Sequence, residues 1–244
     1  MTYDARGETF DDRKKRALEI IAILKKTYPS AKIVLKYKTP WELLVATILS
    51  AQCTDKVVNQ VSEKLFAKYP TIDDYCKVEL REFEEDIKST GFFRNKAKAI
   101  LQNAITLKKY YGGHLPRQVS KMTNLSGVGR KTANIVLSNA FGIIEGIAVD
   151  THVHRISQRL RLVDFTAIKG KKDMLFTRNG QEVLDYKRDA DPDKIEKELI
   201  RLLPKKEWYK FTYLLIDHGR AICKAQNPDC PNCPLKHLCP ASRV

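Results

Sequence analysis

The stretch LSGVGRKTA, Leu125 to Ala133, lies between two helical patterns. Before it, Val119, Met122 and Leu125 recur at i, i+3, i+6. After it, Ala133, Val136, Leu137 and Ala140 recur at i, i+3, i+4, i+7. The stretch is therefore a tight link between two helices that share a core. Gly127 and Gly129 permit backbone angles closed to other residues and leave the neighbouring amides uncovered. Those amides open the second helix, where free N–H groups and the positive end of the dipole form an anion site. A DNA phosphate suits such a site, although a hairpin that only packs would carry the same glycines. Lys131 adds a possible chemistry. A cation in the first helical turn, with Arg130 beside it, is electrostatically misplaced. Both neighbours favour the neutral amine, which is the nucleophilic form.

The charge of the whole chain points the same way. Its 244 residues hold 44 Lys and Arg against 29 Asp and Glu, a net charge of +15. A chain this basic fits a polyanionic partner, with nucleic acid first, or a solubility surface. At 43% hydrophobic residues it is globular. No apolar run approaches the ~18 residues of a membrane span. The N-terminus MTYDARGETFDDRKKR is charged from the start and lacks the apolar stretch of a signal peptide. A cytoplasmic, nucleoid-associated monomer is expected.

Most of the remaining chain reads as helix. Ala17, Ile20, Ile21 and Leu24 mark one face within residues 11–28. Thr39-Pro40-Trp41-Glu42 reads as a capped helix start, with Glu42 completing a capping box. The run LLVATILSA that follows is apolar nearly all round, as a buried central helix is. Thr54-Asp55 opens another helix, which Pro70 ends. Further helices are expected over 92–110 and 206–222. One region differs: in MLFTRNGQEVLDY, Met174 to Tyr186, the Asn179-Gly180 pair predicts a two-residue hairpin turn.

Asp150, in AVDTHVHR, follows an apolar pair and precedes a helix. It reads as an N-cap and also as a rigidly held carboxylate able to stabilise positive charge or move a proton. His152 and His154 carry little information. Cys53 and Cys76 stand alone, whereas Cys223, Cys230, Cys233 and Cys239 follow the spacing C-x6-C-x2-C-x5-C. Four thiolates so close in sequence suit one inorganic centre. Structural zinc sites usually use two close cysteine pairs, and only Cys230 and Cys233 make such a pair here. A single loop of four cysteines with proline nearby suits a [4Fe–4S] cluster better, with zinc as the rival.

Taken together, LSGVGRKTA, VDTH and the four-cysteine loop resemble the endonuclease III family of helix-hairpin-helix DNA glycosylases. The likeness runs from LLVATILSAQCTD to Cys239. It implies an all-α fold of two helical domains with a DNA-binding cleft between them. One is a six-helix domain over 34–143 that carries the hairpin. The other joins 1–33 to 144–244 and holds the [4Fe–4S] loop. The resemblance implies that Lys131 attacks C1′ of an oxidised pyrimidine nucleotide, that a Schiff base forms, and that β-elimination nicks the strand. It makes Asp150 the assisting carboxylate. Gln52 matches the residue that fills the space left by the extruded nucleotide, and Phe92, in GFFRNKA, matches the intercalating wedge. The implied partner is double-stranded DNA with damaged bases or abasic sites.

Three departures stand out. Ser126 replaces the usual proline of the turn, which is expected only to loosen it. Residues 164–193 look longer than in short members of the family and have no assigned role. The segment CKAQNPDC holds a single cation, Lys224, opposed by Asp229, so the loop is expected to be structural more than DNA-contacting. Relatives that only remove adenine share the cluster but lack this lysine and carry a further C-terminal domain, while this chain ends five residues after Cys239. Lys131 thus favours the bifunctional type over a monofunctional glycosylase or a module that only binds or senses DNA.

Overall fold

Eleven α-helices and one two-stranded antiparallel sheet make up residues 7–244, the part described by the computed structural model. The first six residues of the charged N-terminus lie outside the described residues. The rest falls into two units: residues 33–145, and residues 7–32 together with 146–244.

Helix α1, Phe10–Thr27, starts at Thr9, whose hydroxyl accepts from the Asp12 N–H at 3.2 Å. Its buried face is the predicted one, Ala17, Ile20, Ile21 and Leu24. The 33–145 unit is built on α2, Pro40–Leu49, in which every residue from Leu43 to Leu49 is buried. Each large apolar side chain buried there contributes about 1.5–3 kcal/mol. Thr39 caps α2 by accepting from the Glu42 N–H. The expected capping box is not completed, because Glu42 Oε2 accepts from the N–H of Lys38, one residue beyond the cap, at 2.5 Å.

Around α2 lie α3, Asp55–Lys68; α4, Ile72–Lys77; α5, Leu80–Asp86; α6, Phe93–Tyr111; α7, Val119–Met122; and α8, Arg130–Phe141. The unit thus holds seven α-helices, of which α7 is only four residues long. Helices α3, α6 and α8 pack directly on α2.

The second unit continues with α9, Thr151–Arg159; strands β1, Asp173–Arg178, and β2, Gln181–Lys187; α10, Pro192–Leu202; and α11, Lys205–Ala221. Helix α1 packs on α10 and α11, and α9 on α11 and β2. The hairpin turns where Asn179-Gly180 predicts: the two residues sit at φ 53° and 77°, between the paired Arg178 and Gln181. An irregularity between Met174 and Leu175 shifts the register. Among the described residues no helix is long and apolar enough to cross a membrane.

Candidate functional site

In the 33–145 unit, the glycine turn joins α7 to α8. The two glycines do different things. Gly127 sits at φ 70°, and a Cβ there would lie 3.2 Å from the Ala99 Cβ on α6. Its lack of a side chain is a demand of the fold. Gly129 is the N-cap of α8 in ordinary extended backbone, φ −89°, and a Cβ on it would meet nothing within 4 Å. The reading that both glycines supply forbidden angles is therefore corrected. Only Gly127 does so, and Gly129 leaves open space above the first amides of α8. Arg130 and Lys131 occupy the first turn of that helix and are exposed.

The turn is held from beneath by a residue that the sequence did not single out. Asn103, on α6, is fully buried. Its Nδ2 donates to the Ser126 carbonyl at 2.9 Å, and its Oδ1 accepts from the Ser126 N–H at 2.7 Å. A proline at 126 has no N–H to donate. Replacement of that proline by serine was expected to loosen the turn; instead serine allows a bond that fastens it.

Gln52 and Phe92 share an unusual backbone. Both are non-glycine residues in the left-handed region, at φ 53° and 49°. Such conformations cost about 1–3 kcal/mol and tend to collect at functional positions. Gln52 is exposed in the turn after α2. Phe92 caps α6 and is 64% exposed, whereas its neighbour Phe93 packs against the core. Phe92 is thus a bulky apolar side chain presented to solvent by a strained turn, and it takes no part in the core.

In the other unit, Asp150 is the N-cap of α9. Its Oδ1 accepts from the N–H groups of His152 and Val153 at 2.9 and 2.8 Å. Both bonds fall on one oxygen, which fixes the carboxylate and leaves Oδ2 outside the cap. Arg155, one turn on, is 6% exposed. It donates to the Thr151 carbonyl at 3.3 Å and to the Cys223 carbonyl at 2.9 Å, so it ties the start of α9 to the start of the cysteine loop. Helices α9 and α11 approach so closely that a Cβ on Gly219 would fall on the His152 ring.

Cys223, Cys230, Cys233 and Cys239 line one small cavity together with Ile156 and Leu235. Burial pushes the Cys239 thiol up to about 12 and the Cys233 thiol to about 11, and the other cysteines add to both shifts. N–H groups already point at the sulfurs: Leu235 N–H at Cys233 Sγ and Arg159 Nη1 at Cys223 Sγ, each at 3.4 Å. Among the described residues, no three cysteine, histidine or carboxylate side chains converge tightly enough to hold a single ion. Four thiols lining one cavity are a donor set that suits a thiolate-held metal centre.

Arg159 is the second residue that the sequence concealed. It is 2% exposed, forks onto Asp185 of β2 at 2.8 and 2.7 Å, and donates to the carbonyls of Lys224 and Ala225. Burial works against its charge, but the Asp185 carboxylate outweighs that and holds its pKa above the usual value. The hairpin, unassigned in the sequence, thus supplies a counter-charge beneath the cysteine loop. Lys224 and Asp229 are both exposed on that loop, and Asp229 accepts from Asn232 Nδ2 at 3.1 Å.

Comparison with known proteins agrees with this geometry. Residues 45–181 match the HhH-GPD superfamily of base excision DNA repair proteins. The endonuclease III of a Synechocystis species is 45% identical over 232 residues, 95% of each chain. The Bacillus subtilis endonuclease III is 43% identical over 87% of this chain and 86% of its own. Among solved structures, a non-covalent endonuclease III–DNA complex superposes with a TM-score of 0.81 at 41% identity, covering 94% of this chain and 96% of the other. A trapped covalent endonuclease III–DNA intermediate matches equally well, with a TM-score of 0.81 at 41% identity over 94% of this chain and 97% of the other.

Proposed function

Since the chain belongs to the endonuclease III family within the HhH-GPD superfamily, we propose that it is a bifunctional DNA glycosylase and abasic-site lyase of base excision repair. It acts as a monomer on oxidised pyrimidines in double-stranded DNA, in the cytoplasm. The observation that carries the reading is Lys131: an exposed amine one residue past Arg130 in the first turn of α8, in a chain 41% identical to an endonuclease trapped covalently on DNA.

In this reading the neutral Lys131 amine attacks C1′ of the damaged nucleotide. The C1′–N bond breaks, the base leaves with the bonding electrons and takes up a proton, and the sugar ring opens to a Schiff base. Removal of a C2′ proton then expels the 3′ phosphate by β-elimination. Asp150, fixed through Oδ1, keeps Oδ2 for the positive charge that develops on the sugar. The Gly127 and Gly129 amides with Arg130 take the phosphates beside the lesion. Gln52 occupies the space vacated by the extruded nucleotide, and Phe92 wedges between base steps.

Cys223, Cys230, Cys233 and Cys239 would hold a [4Fe–4S] cluster, a reading supported by their shared cavity and by the family. Held by these four side chains, such a cluster would cross-link the C-terminal loop. Arg159 and the Leu235 N–H are placed to donate to its sulfur ligands, while Ile156 and Leu235 help keep water away.

The test is borohydride trapping on a duplex with one thymine glycol. A covalent protein–DNA band that disappears in Lys131→Ala is expected. Release of free base without a band would replace the proposal with a monofunctional glycosylase. Neither band nor base across a panel of lesions would leave only DNA binding.

A further inference from the structure

Lys96 lies in a charged run, Arg94-Asn95-Lys96-Ala97-Lys98, yet it is only 5% exposed. Its ammonium group donates to two main-chain carbonyls, Leu49 O and Thr90 O, each at 2.8 Å. Leu49 is the last residue of α2, three before Gln52. Thr90 ends the short 3-10 turn Lys88–Thr90, two before Phe92. Carbonyls at helix ends lack partners within the helix, and a cation suits the negative end of the dipole. One side chain therefore closes the two segments from which Gln52 and Phe92 project.

A buried ammonium is an expensive way to cap two carbonyls. Burial lowers the pKa of Lys96, and among the described residues no carboxylate pairs with it. The two residues downstream of the capped carbonyls are both held in left-handed backbone, at φ 53° and 49°. Strained conformations persist only where the surroundings over-determine them. A single donor shared by both segments provides that constraint and fixes one segment relative to the other.

We propose that Lys96 is a positioning residue that sets the Gln52 and Phe92 turns in a common register for entry into duplex DNA. The inference rests on the roles given above to Gln52 and Phe92. Lys96 itself does not touch DNA.

The experiment compares two substrates under single-turnover conditions: a duplex with a paired thymine glycol, and a single-stranded oligonucleotide with an abasic site. The first requires extrusion of a stacked nucleotide; the second does not. Lys96→Met should slow excision from the duplex by about tenfold or more, since misplacement on the ångström scale suffices for that. Nicking of the single strand should change by no more than about twofold. Lys96→Gln, which can still donate to one carbonyl, should fall between. In a Gln52→Ala/Phe92→Ala background, Lys96→Met should add nothing on the duplex, because interacting sites are non-additive. An equal loss on both substrates, as from a merely unfolded variant, would overturn the proposal, and so would a full additional loss in the double-alanine background. If Gln52→Ala/Phe92→Ala itself excises like the wild type, the roles of those two side chains fail and the inference falls with them. Trapping at Lys131 would stand regardless.

Discussion

Ser126→Pro installs the proline that the family resemblance leads one to expect at this turn, and it should destabilise this protein. The reason lies in Asn103, whose Oδ1 is fully buried and accepts from the Ser126 N–H at 2.7 Å. Proline removes that donor and leaves a buried acceptor unpaired, which costs about 1–3 kcal/mol. Its stiffening of the unfolded chain returns about 0.4–1 kcal/mol. The net loss is about 1.5 kcal/mol. At a denaturant slope of about 1–3 kcal/mol per molar urea, that lowers the urea midpoint by about 0.5–1.5 M. The chain has two tryptophans, so Trp208→Phe leaves Trp41, on α2 of the same unit, as the sole fluorescent reporter. Ser126→Ala keeps the N–H and should stay within about 0.5 kcal/mol of the parent. A Ser126→Pro midpoint equal to or above that of Ser126→Ala would refute the reasoning: the Asn103 bond would then contribute nothing net.

The two glycines of the turn should separate cleanly. Gly127→Ala is strained at φ 70° and crowds Ala99, so it should cost about 1–2 kcal/mol in the same unfolding assay. Gly129→Ala has an ordinary backbone and open space; its stability should hold within about 0.5 kcal/mol while affinity for duplex DNA falls, and unchanged affinity would remove its amides from the phosphate site. Asp185→Ala strands the buried Arg159 and should lower stability by about 3 kcal/mol, seen as a lower melting temperature and faster proteolysis of the hairpin. With a net charge of +15, DNA affinity should fall about tenfold or more between 50 and 200 mM salt; a flat titration would contradict phosphate neutralisation. Protein purified without oxygen should be brown and carry iron, and Cys233→Ala should abolish both; stoichiometric zinc in the parent would sink the cluster.

The helices were legible because their signal is local. Apolar residues recur every three to four positions in α1, α6 and α8, and Thr39, Thr54 and Asp150 announce helix starts by chemistry that acts over three residues. The hairpin was legible for the same reason, since Asn179-Gly180 satisfies a turn that admits few other pairs. The inward-facing polar side chains were not legible. Lys96 lies between Asn95 and Ala97 and reads as solvent-facing; its two carbonyl partners come from other segments. Asn103 and Ser126 are brought together only by tertiary packing, and so are Arg159 and Asp185. Phe92 was ambiguous because apolar character alone does not separate a core residue from a wedge. Its 64% exposure and left-handed backbone take it out of the core.

Arg159 bears on how the hairpin can change over time. Its guanidinium reaches Cys223 Sγ and the Lys224 and Ala225 carbonyls on one side and Asp185 on the other. Much of the hairpin is exposed or half-buried, but Phe176 is buried and Arg178 donates to the Pro240 and Ser242 carbonyls, so only its outer positions can drift freely. Asp185, at 3% exposure, cannot. A descendant that shortened this excursion past Asp185 would leave the buried Arg159 guanidinium without its carboxylate partner. It would have to surrender Arg159 in the same step or recruit an acid from elsewhere. The hairpin and the cysteine loop are therefore bound to a shared history through this one ion pair.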